Sequence, residues 1–311
     1  YQCLLYVRLV HRVLLAVARA PSLAACAATA PLPEPADVPF GKGRLWQVDL
    51  AGREPSYLFG TMHDSDKKIL DLPAPVESAF DKAQIAAFEV VEDTEPSPAQ
   101  RQRYFALPEG QALVDVVGQE NYRELRRVLS ARMLSVSAFD GMQPWVIWAY
   151  IADREISISR QDPSGESILD DWLQERAEEA GKEVVGLETM EEQLDALGGV
   201  PMADQVSMLQ SAMKEFFGPR TRVDRLQIYL DGDLAQSYAL WNRLLGHMEP
   251  AVAERYHARL LTDRNRIMVD RMMPLLERGA AFVAVGALHM PGEEGIPHLL
   301  EQRGFTITRL E

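Results

Sequence analysis

Phe59-Gly60-Thr61-Met62-His63 and Val285-Gly286-Ala287-Leu288-His289 are near-copies of one another. Each is a short apolar run ending in Gly-x-x-His, and the two histidines stand 226 positions apart. Upstream of the first, Arg44–Leu50 alternates, with Trp46, Val48 and Leu50 on one face. Ala51–Pro55 is a turn, and Ser56–Gly60 predicts the second strand of a hairpin that ends at the motif. Beyond it, Asp64–Pro75 is polar and turn-rich. Val76, Ala79, Phe80 and Ala83 follow helical spacing, and Ile85–Val91 predicts a buried strand with Glu89 inside it. The second copy follows a purely apolar strand, Ala281–Val285. Ile296, Leu299 and Leu300 then mark a short helix, Gly304 suits its C′ stop, and Phe305–Leu310 predicts a final strand. Both ends therefore read as strand, Gly-x-x-His, helix, strand.

Between them lies a helical middle, about 96–250, with helices expected near 97–106, 119–133, 144–153, 166–180, 202–217 and 233–245. Glu183–Gly186 interrupts it as a strand, and Thr189-Met190-Glu191-Glu192 is a capping box that opens a further helix. Glu188 falls between the two, where α/β sheets place functional groups. A long helix is expected over 251–278. In it Leu260, Leu261, Ile267 and Met268 lie three or four positions from Arg264, which puts that arginine on the apolar face. A guanidinium buried there needs a carboxylate partner; the alternative is a packed stem with its head in water.

The 311 residues carry a net charge of −14. The first 30 contain three arginines and no acid, which leaves 29 basic against 46 acidic residues beyond them, a net −17. A surface this acidic repels phosphate backbones and argues against nucleic-acid binding. The two cysteines, Cys3 and Cys26, both lie in the N-terminal segment, so no cysteine zinc site or disulfide is expected after it.

Residues 1–30 have the order of a targeting segment: Arg8 and Arg12, the apolar Val13–Ala18, then small residues. Leu23-Ala24-Ala25-Cys26 resembles a lipobox that would lipidate Cys26, whereas Ala28-Thr29-Ala30 fits ordinary signal cleavage. Either implies export, to the bacterial periplasm or to a lipid-anchored place in the envelope. The competing reading is a helical or disordered extension. Residues 31–43 form a Pro-rich linker, and no later stretch is long and apolar enough for a transmembrane helix.

A glycine three positions before a histidine lets the chain turn sharply and aim an imidazole into a cleft. Two such histidines plus a carboxylate make a minimal metal site with open positions for water. Glu89 is the suitable carboxylate; within an apolar strand it needs a metal, an arginine or a raised pKa. The metal set is thus His63, Glu89 and His289, with hydrogen-bonded structural histidines as the bland alternative. Asp64 and Asp66 read as an acidic turn, and His247, His257 and His298 as structural or surface groups. No H-E-x-x-H, G-x-S-x-G, P-loop or G-x-G-x-x-G is present.

Taken in order, several motifs resemble the TraB/GumN family, related to the Tiki metalloproteases. They are Leu45-Trp46, Gly60-Thr61-Met62-His63, Phe88-Glu89, Glu188-Thr189 with Glu192-Gln193, and Tyr229-Leu230-Asp231-Gly232-Asp233. Leu260-Leu261-x-x-Arg264-Asn265-x-x-Met268, Val285-Gly286-Ala287-Leu288-His289-Met290-x-Gly292-x-x-Gly295 and Gly304-Phe305 complete the set, which spans 44–311. The resemblance implies an α/β fold: a central mixed β-sheet flanked by helices, with the helical middle inserted between the two halves. It implies a cleft holding His63, His289 and Glu89, lined or braced by Glu188 and Arg264. It further implies a metal-dependent hydrolase, foremost a peptidase, with manganese, cobalt or zinc and a peptide or protein substrate. Arg264 would pair with Glu89 or Glu188 or stabilise an oxyanion, and Glu188 would be a general base or fourth ligand. The alternative is a non-catalytic envelope binding protein of the GumN type, linked to polysaccharide biosynthesis. The stretch Asp64-Ser65-Asp66 is more acidic than the family's usual form.

Overall fold

The computed structural model describes residues 32–35, 37–64, 66–91, 96–156, 168–217 and 224–311. The N-terminal segment expected to be a targeting segment, with Cys3, His11 and Cys26, lies outside the described residues.

Strands β1 (Leu45–Asp49) and β2 (Ser56–Thr61) form the expected antiparallel hairpin, with Leu45 opposite Phe59. Helices α1 (Lys67–Leu70) and α2 (Ala74–Lys82) lead to β3 (Ile85–Phe88). The helical region follows: α3 (Pro98–Tyr104), α4 (Leu113–Ala131), α5 (Pro144–Ile156) and α6 (Leu169–Glu179). After β4 (Glu183–Gly186) come α7 (Met190–Gly198), α8 (Met202–Phe217), α9 (Arg225–Leu230), α10 (Leu234–Leu245) and α11 (Pro250–His257). Helix α12 (Asp263–Arg278), β5 (Ala281–Gly286), α13 (Ile296–Gln302) and β6 (Thr306–Arg309) complete the chain.

The six strands make one sheet in the order β4-β3-β5-β2-β1-β6. The neighbours β4, β3, β5 and β2 all run parallel, while β1 is antiparallel to both β2 and β6. This is the mixed sheet that the resemblance implies. The five apolar residues of β5 are all buried because both faces of the central strand are covered. Alternate strand residues feed two layers. Trp46, Leu58, Ile85, Val283 and Val285 pack on α12 and α13 through Met268, Met272, Leu276 and Leu300. Leu45, Phe59, Phe88, Phe282 and Ala284 pack on α2 and α6 through Val76, Phe80, Leu173 and Ala177. Trp145, Ile147, Met208, Trp241 and Tyr256 belong to a separate core between the helices of the middle.

Two expectations change. The long helix over 251–278 is broken: α11 passes through a π-helical turn at Ala258–Thr262 before α12 begins. Periodicity alone does not separate these, since the apolar residues keep near-helical spacing through a turn with one extra residue. The third strand ends at Phe88, so Glu89 is the first residue past the strand rather than inside it. The backbone nonetheless stays in register there, as Leu187 N–H donates to Phe88 O at 2.8 Å and Glu188 N–H to Glu89 O at 2.7 Å.

Candidate functional site

Parallel neighbours end at the same edge of a sheet, and that fact assembles the site. Thr61 pairs with Gly286 at the ends of β2 and β5, so both Gly-x-x-His segments leave the same edge side by side. Phe88 pairs with Ala284 and Gly186, which brings Glu89 and Glu188 to that edge as well. Four adjacent strands thus deliver His63, His289, Glu89 and Glu188 to one crevice, and α12 supplies Arg264. Gly60 and Gly286 are needed here because of close approaches. A Cβ on Gly60 would meet the Cα of Ala287 at 3.2 Å, and one on Gly286 would meet Glu89 Oε1 at 3.1 Å.

Arg264 joins the two carboxylates. Its guanidinium donates from Nε to Glu188 at 2.9 and 3.1 Å, and from NH2 to Glu188 at 2.6 Å and to Glu89 at 2.7 Å. The three side chains are only 12, 9 and 2% exposed for Arg264, Glu89 and Glu188 respectively. NH1 of Arg264 reaches Leu260 O, a carbonyl of the π-helical turn, at 3.3 Å. The buried arginine therefore pairs with both carboxylates, and both Glu188 oxygens are bonded to it. Burial raises the pKa of Glu188 even against Arg264. Glu89 is buried too, but Arg264, the two histidines and the Gly286 N–H together hold its carboxyl far below the usual range. That N–H donates to Glu89 Oε1 at 2.7 Å, and Gln193 Nε2 donates to Oε2 at 3.3 Å.

The two histidines occupy unlike surroundings. His63 is exposed, and its Nδ1 lies 3.0 Å from Asp170 Oδ2. Thr61 Oγ1 donates to the other oxygen of Asp170 at 2.6 Å. Asp170 raises the pKa of His63, and the histidine in turn lowers that of Asp170 against the opposing effect of burial. His289 is buried, and burial pushes its pKa down to about 3, with Glu89 opposing and Arg264 and His63 adding to the drop. Its Nδ1 meets Asn265 Oδ1 at 2.5 Å, and its Nε2 faces Glu89 Oε1 at 3.6 Å. Tyr229 buttresses the cleft floor from α9, its hydroxyl donating to Gly60 O at 3.0 Å.

Do these residues fit a divalent cation? Both rings are bonded through Nδ1, which orients imidazoles and leaves Nε2 as the ligand atom. The 3.6 Å between His289 Nε2 and Glu89 Oε1 suits two donors sharing one ion at ~2.0–2.2 Å each. Among the described residues, no group of three or more His, Cys, Asp or Glu is already drawn together at metal-binding distance. The donor chemistry and the spacing of His289 and Glu89 fit a metal; the three donors do not stand as a closed shell.

Asp170 was not singled out from the sequence, and Asn265 and Gln193 stood there only inside the quoted motifs, with no role of their own. Asp170 had only the mark of an acid in the first turn of a helix, and Asn265 only its place beside Arg264. Asp64 and Asp66 form the acidic turn: Asp66 N–H donates to Asp64 and the Asp66 side chain caps α1. His247 is bonded to Glu215, His257 to Trp241 and His298 to Glu293. A groove of about 640 Å³ opens elsewhere, lined by Phe40, Lys42, Trp46, Ala235, Ile307 and Arg309, and shares no residue with the cluster.

Fold and crevice together define an α/β protein with two histidines and an arginine-bound carboxylate pair at the carboxyl ends of its parallel strands. The chain belongs to the TraB/PrgY/gumN family, whose profile matches residues 44–309. Among curated proteins it is similar to the metalloprotease TIKI2 of Danio rerio, at 24% identity over 300 residues covering 81% of this chain and 58% of the relative. TIKI2 of Xenopus tropicalis is 23% identical over 85% of this chain and 59% of its own length. The metalloprotease TIKI homolog of Amphimedon queenslandica is 24% identical over 86% of this chain and 61% of its own length. The chain thus spans about three-fifths of the length of these relatives. No solved structure matches it.

Proposed function

We propose that this chain is a metal-dependent hydrolase that cleaves peptide bonds, with a divalent ion (manganese, cobalt or zinc) held by His63, His289 and Glu89. The observation that carries this is His289 Nε2 facing a carboxylate oxygen of Glu89 at 3.6 Å while its Nδ1 is taken by Asn265. With Nδ1–H on Asn265, the neutral ring turns its Nε2 lone pair toward that anion, a repulsive contact that a shared cation makes favourable. Such an ion, when bound, polarises a carbonyl and acidifies water. The protein's part is to arrange the donors. Arg264 keeps Glu89 ionised, Asp170 and Asn265 orient the rings, and Glu188 braces Arg264. His63, the exposed member, faces the side from which a peptide enters. The names of the Tiki relatives support the peptidase class.

Metal content after loading tests this: wild type should retain about one ion, and His63→Ala and His289→Ala should lose it. Unchanged content in both variants refutes the site. A peptide-cleavage screen should show turnover that chelator removes and metal restores. One observation favours a second reading, a binding protein without turnover linked to envelope polysaccharide assembly: both Glu89 oxygens already accept hydrogen bonds from Gly286, Arg264 and Gln193. Stoichiometric ligand with no cleavage would select it. The basic-apolar-small order of residues 1–30 supports export, either with a lipid anchor at Cys26 or with ordinary cleavage at Ala28-Thr29-Ala30, and the described residues contain no helix long and apolar enough to cross a membrane. Cell fractionation, with a purely cytosolic pool as the adverse result, tests that assignment.

A further inference from the structure

Hydrogen positions at the crevice follow from groups that have no choice. Asn265 Nδ2 lies 2.6 Å from Glu294 O, a backbone carbonyl that can only accept. The amide is therefore oriented with its NH2 on that carbonyl and its oxygen on His289. An oxygen 2.5 Å from Nδ1 requires the ring to carry a proton there, so in the neutral ring Nε2 is the bare nitrogen. Asp170 imposes the same result on His63. Its Oδ2, 3.0 Å from Nδ1, can only accept, and its Oδ1 is engaged by the Thr61 hydroxyl. The two rings reach one state by different means: an amide whose direction is set by a carbonyl of the loop after β5, and a carboxylate from the first turn of α6.

We infer that Asp170 and Asn265 are positioning residues that hold the neutral rings of His63 and His289 in the Nδ1–H form, so that in each neutral ring Nε2 is the nitrogen left for a ligand. This rests on the metal reading for its purpose but not for its test. Without the locks, each ring has a reason to protonate Nε2 instead. His289 would then donate toward Glu89 Oε1, the oxygen now 3.6 Å away, and the nitrogen nearest that carboxylate would be blocked. His63 has an exposed ring bonded to Asp170, so once that carboxylate is gone water can accept from a proton on Nε2 as readily as from one on Nδ1.

The test is nitrogen-15 NMR of the histidine rings in the full, metal-free chain at pH 9, where the rings are neutral. Wild type should show both rings with a protonated Nδ1 and a bare Nε2. In Asp170→Asn the oxygen stays on Thr61 and the new NH2 meets Nδ1, so the His63 pattern should invert while His289 is unchanged. In Asn265→Leu, close in size, the His289 pattern should invert while His63 is unchanged. Either ring carrying its proton on Nε2 in wild type, or both variants leaving their rings as they were, overturns the inference. If one variant fails to fold, the other decides. Cobalt(II) titration separates this from the function itself. Each variant should bind about 10–100-fold more weakly than wild type, the usual effect of removing such a partner. A wild type that binds no cobalt while its rings show the expected pattern supports the positioning roles and refutes the metal centre.

Discussion

Replacing Arg264 by methionine tests the electrostatic frame of the crevice most directly. Methionine keeps much of the apolar stem but removes every bond to Glu89 and Glu188, leaving two carboxylates almost wholly buried with no cation between them. Breaking a buried ion pair by deleting one partner costs about 3–5 kcal/mol. Over a chain of this size that lowers the melting temperature by roughly 10 °C. The loss must depend on pH in a particular direction. Without the guanidinium, burial and mutual repulsion raise both carboxyl pKa values in the folded state above their unfolded values. Folding then takes up protons, so the variant is closest to wild type at low pH and loses ground as pH rises through the elevated values. Urea unfolding at pH 8 and pH 5 measures this; adding Glu89→Gln and Glu188→Gln to Arg264→Met should recover part of the loss at pH 8. A penalty below about 1 kcal/mol at pH 8, or one that does not shrink at pH 5, would show that Arg264 does not neutralise the pair and would refute the reasoning.

His289, with its pKa held near 3 by burial, and Glu89, held low by its partners, both bind protons more readily unfolded than folded. The stability these two groups contribute to the metal-free protein should therefore be complete above about pH 6.5 and fall away as pH drops toward 3, against the opposite contribution of His63; His289→Gln should flatten the fall of the urea midpoint with pH relative to wild type in the upper part of that range. Gly286→Ala sets a methyl 3.1 Å from Glu89 Oε1, so it should cost about 1–3 kcal/mol by chemical denaturation and weaken metal retention together. Tyr229→Phe removes the hydroxyl bonded to Gly60 O and leaves that carbonyl short of a donor in a buried place, a loss of about 1–2 kcal/mol by thermal unfolding with the crevice residues unchanged.

What the sequence made legible follows the range of the interactions involved. Gly60, His63, Gly286 and His289 could be read because each motif follows a strand whose apolar run is itself local. The two strands then had only to be neighbours for the motifs to meet. Arg264 was readable from the apolar residues around it, which is why its need for a carboxylate could be stated and why both Glu89 and Glu188 answer it. Glu89 was placed one residue too deep, because an apolar run through Val91 does not say where pairing stops. Asp170 was invisible. It meets His63 from 107 positions away, and an acid in a helix's first turn is ordinarily explained by the helix dipole alone. Asn265 was quoted only as part of a motif, since the carbonyl that orients it comes from a different segment. The equal spelling of the two Gly-x-x-His motifs also concealed their inequality, an exposed ring on one side and a buried one on the other.

The pairing of β2 with β5 has a consequence in time. Tyr57 opposite Phe282 closes a loop of more than two hundred residues, an entropic cost of about 5 kcal/mol at this length that no local contact offsets. Contacts so distant in sequence form late in folding. Until β5 has emerged and docked on β2, His63 has no His289 beside it. During synthesis the growing chain therefore carries only part of the crevice until β5 has paired with β2.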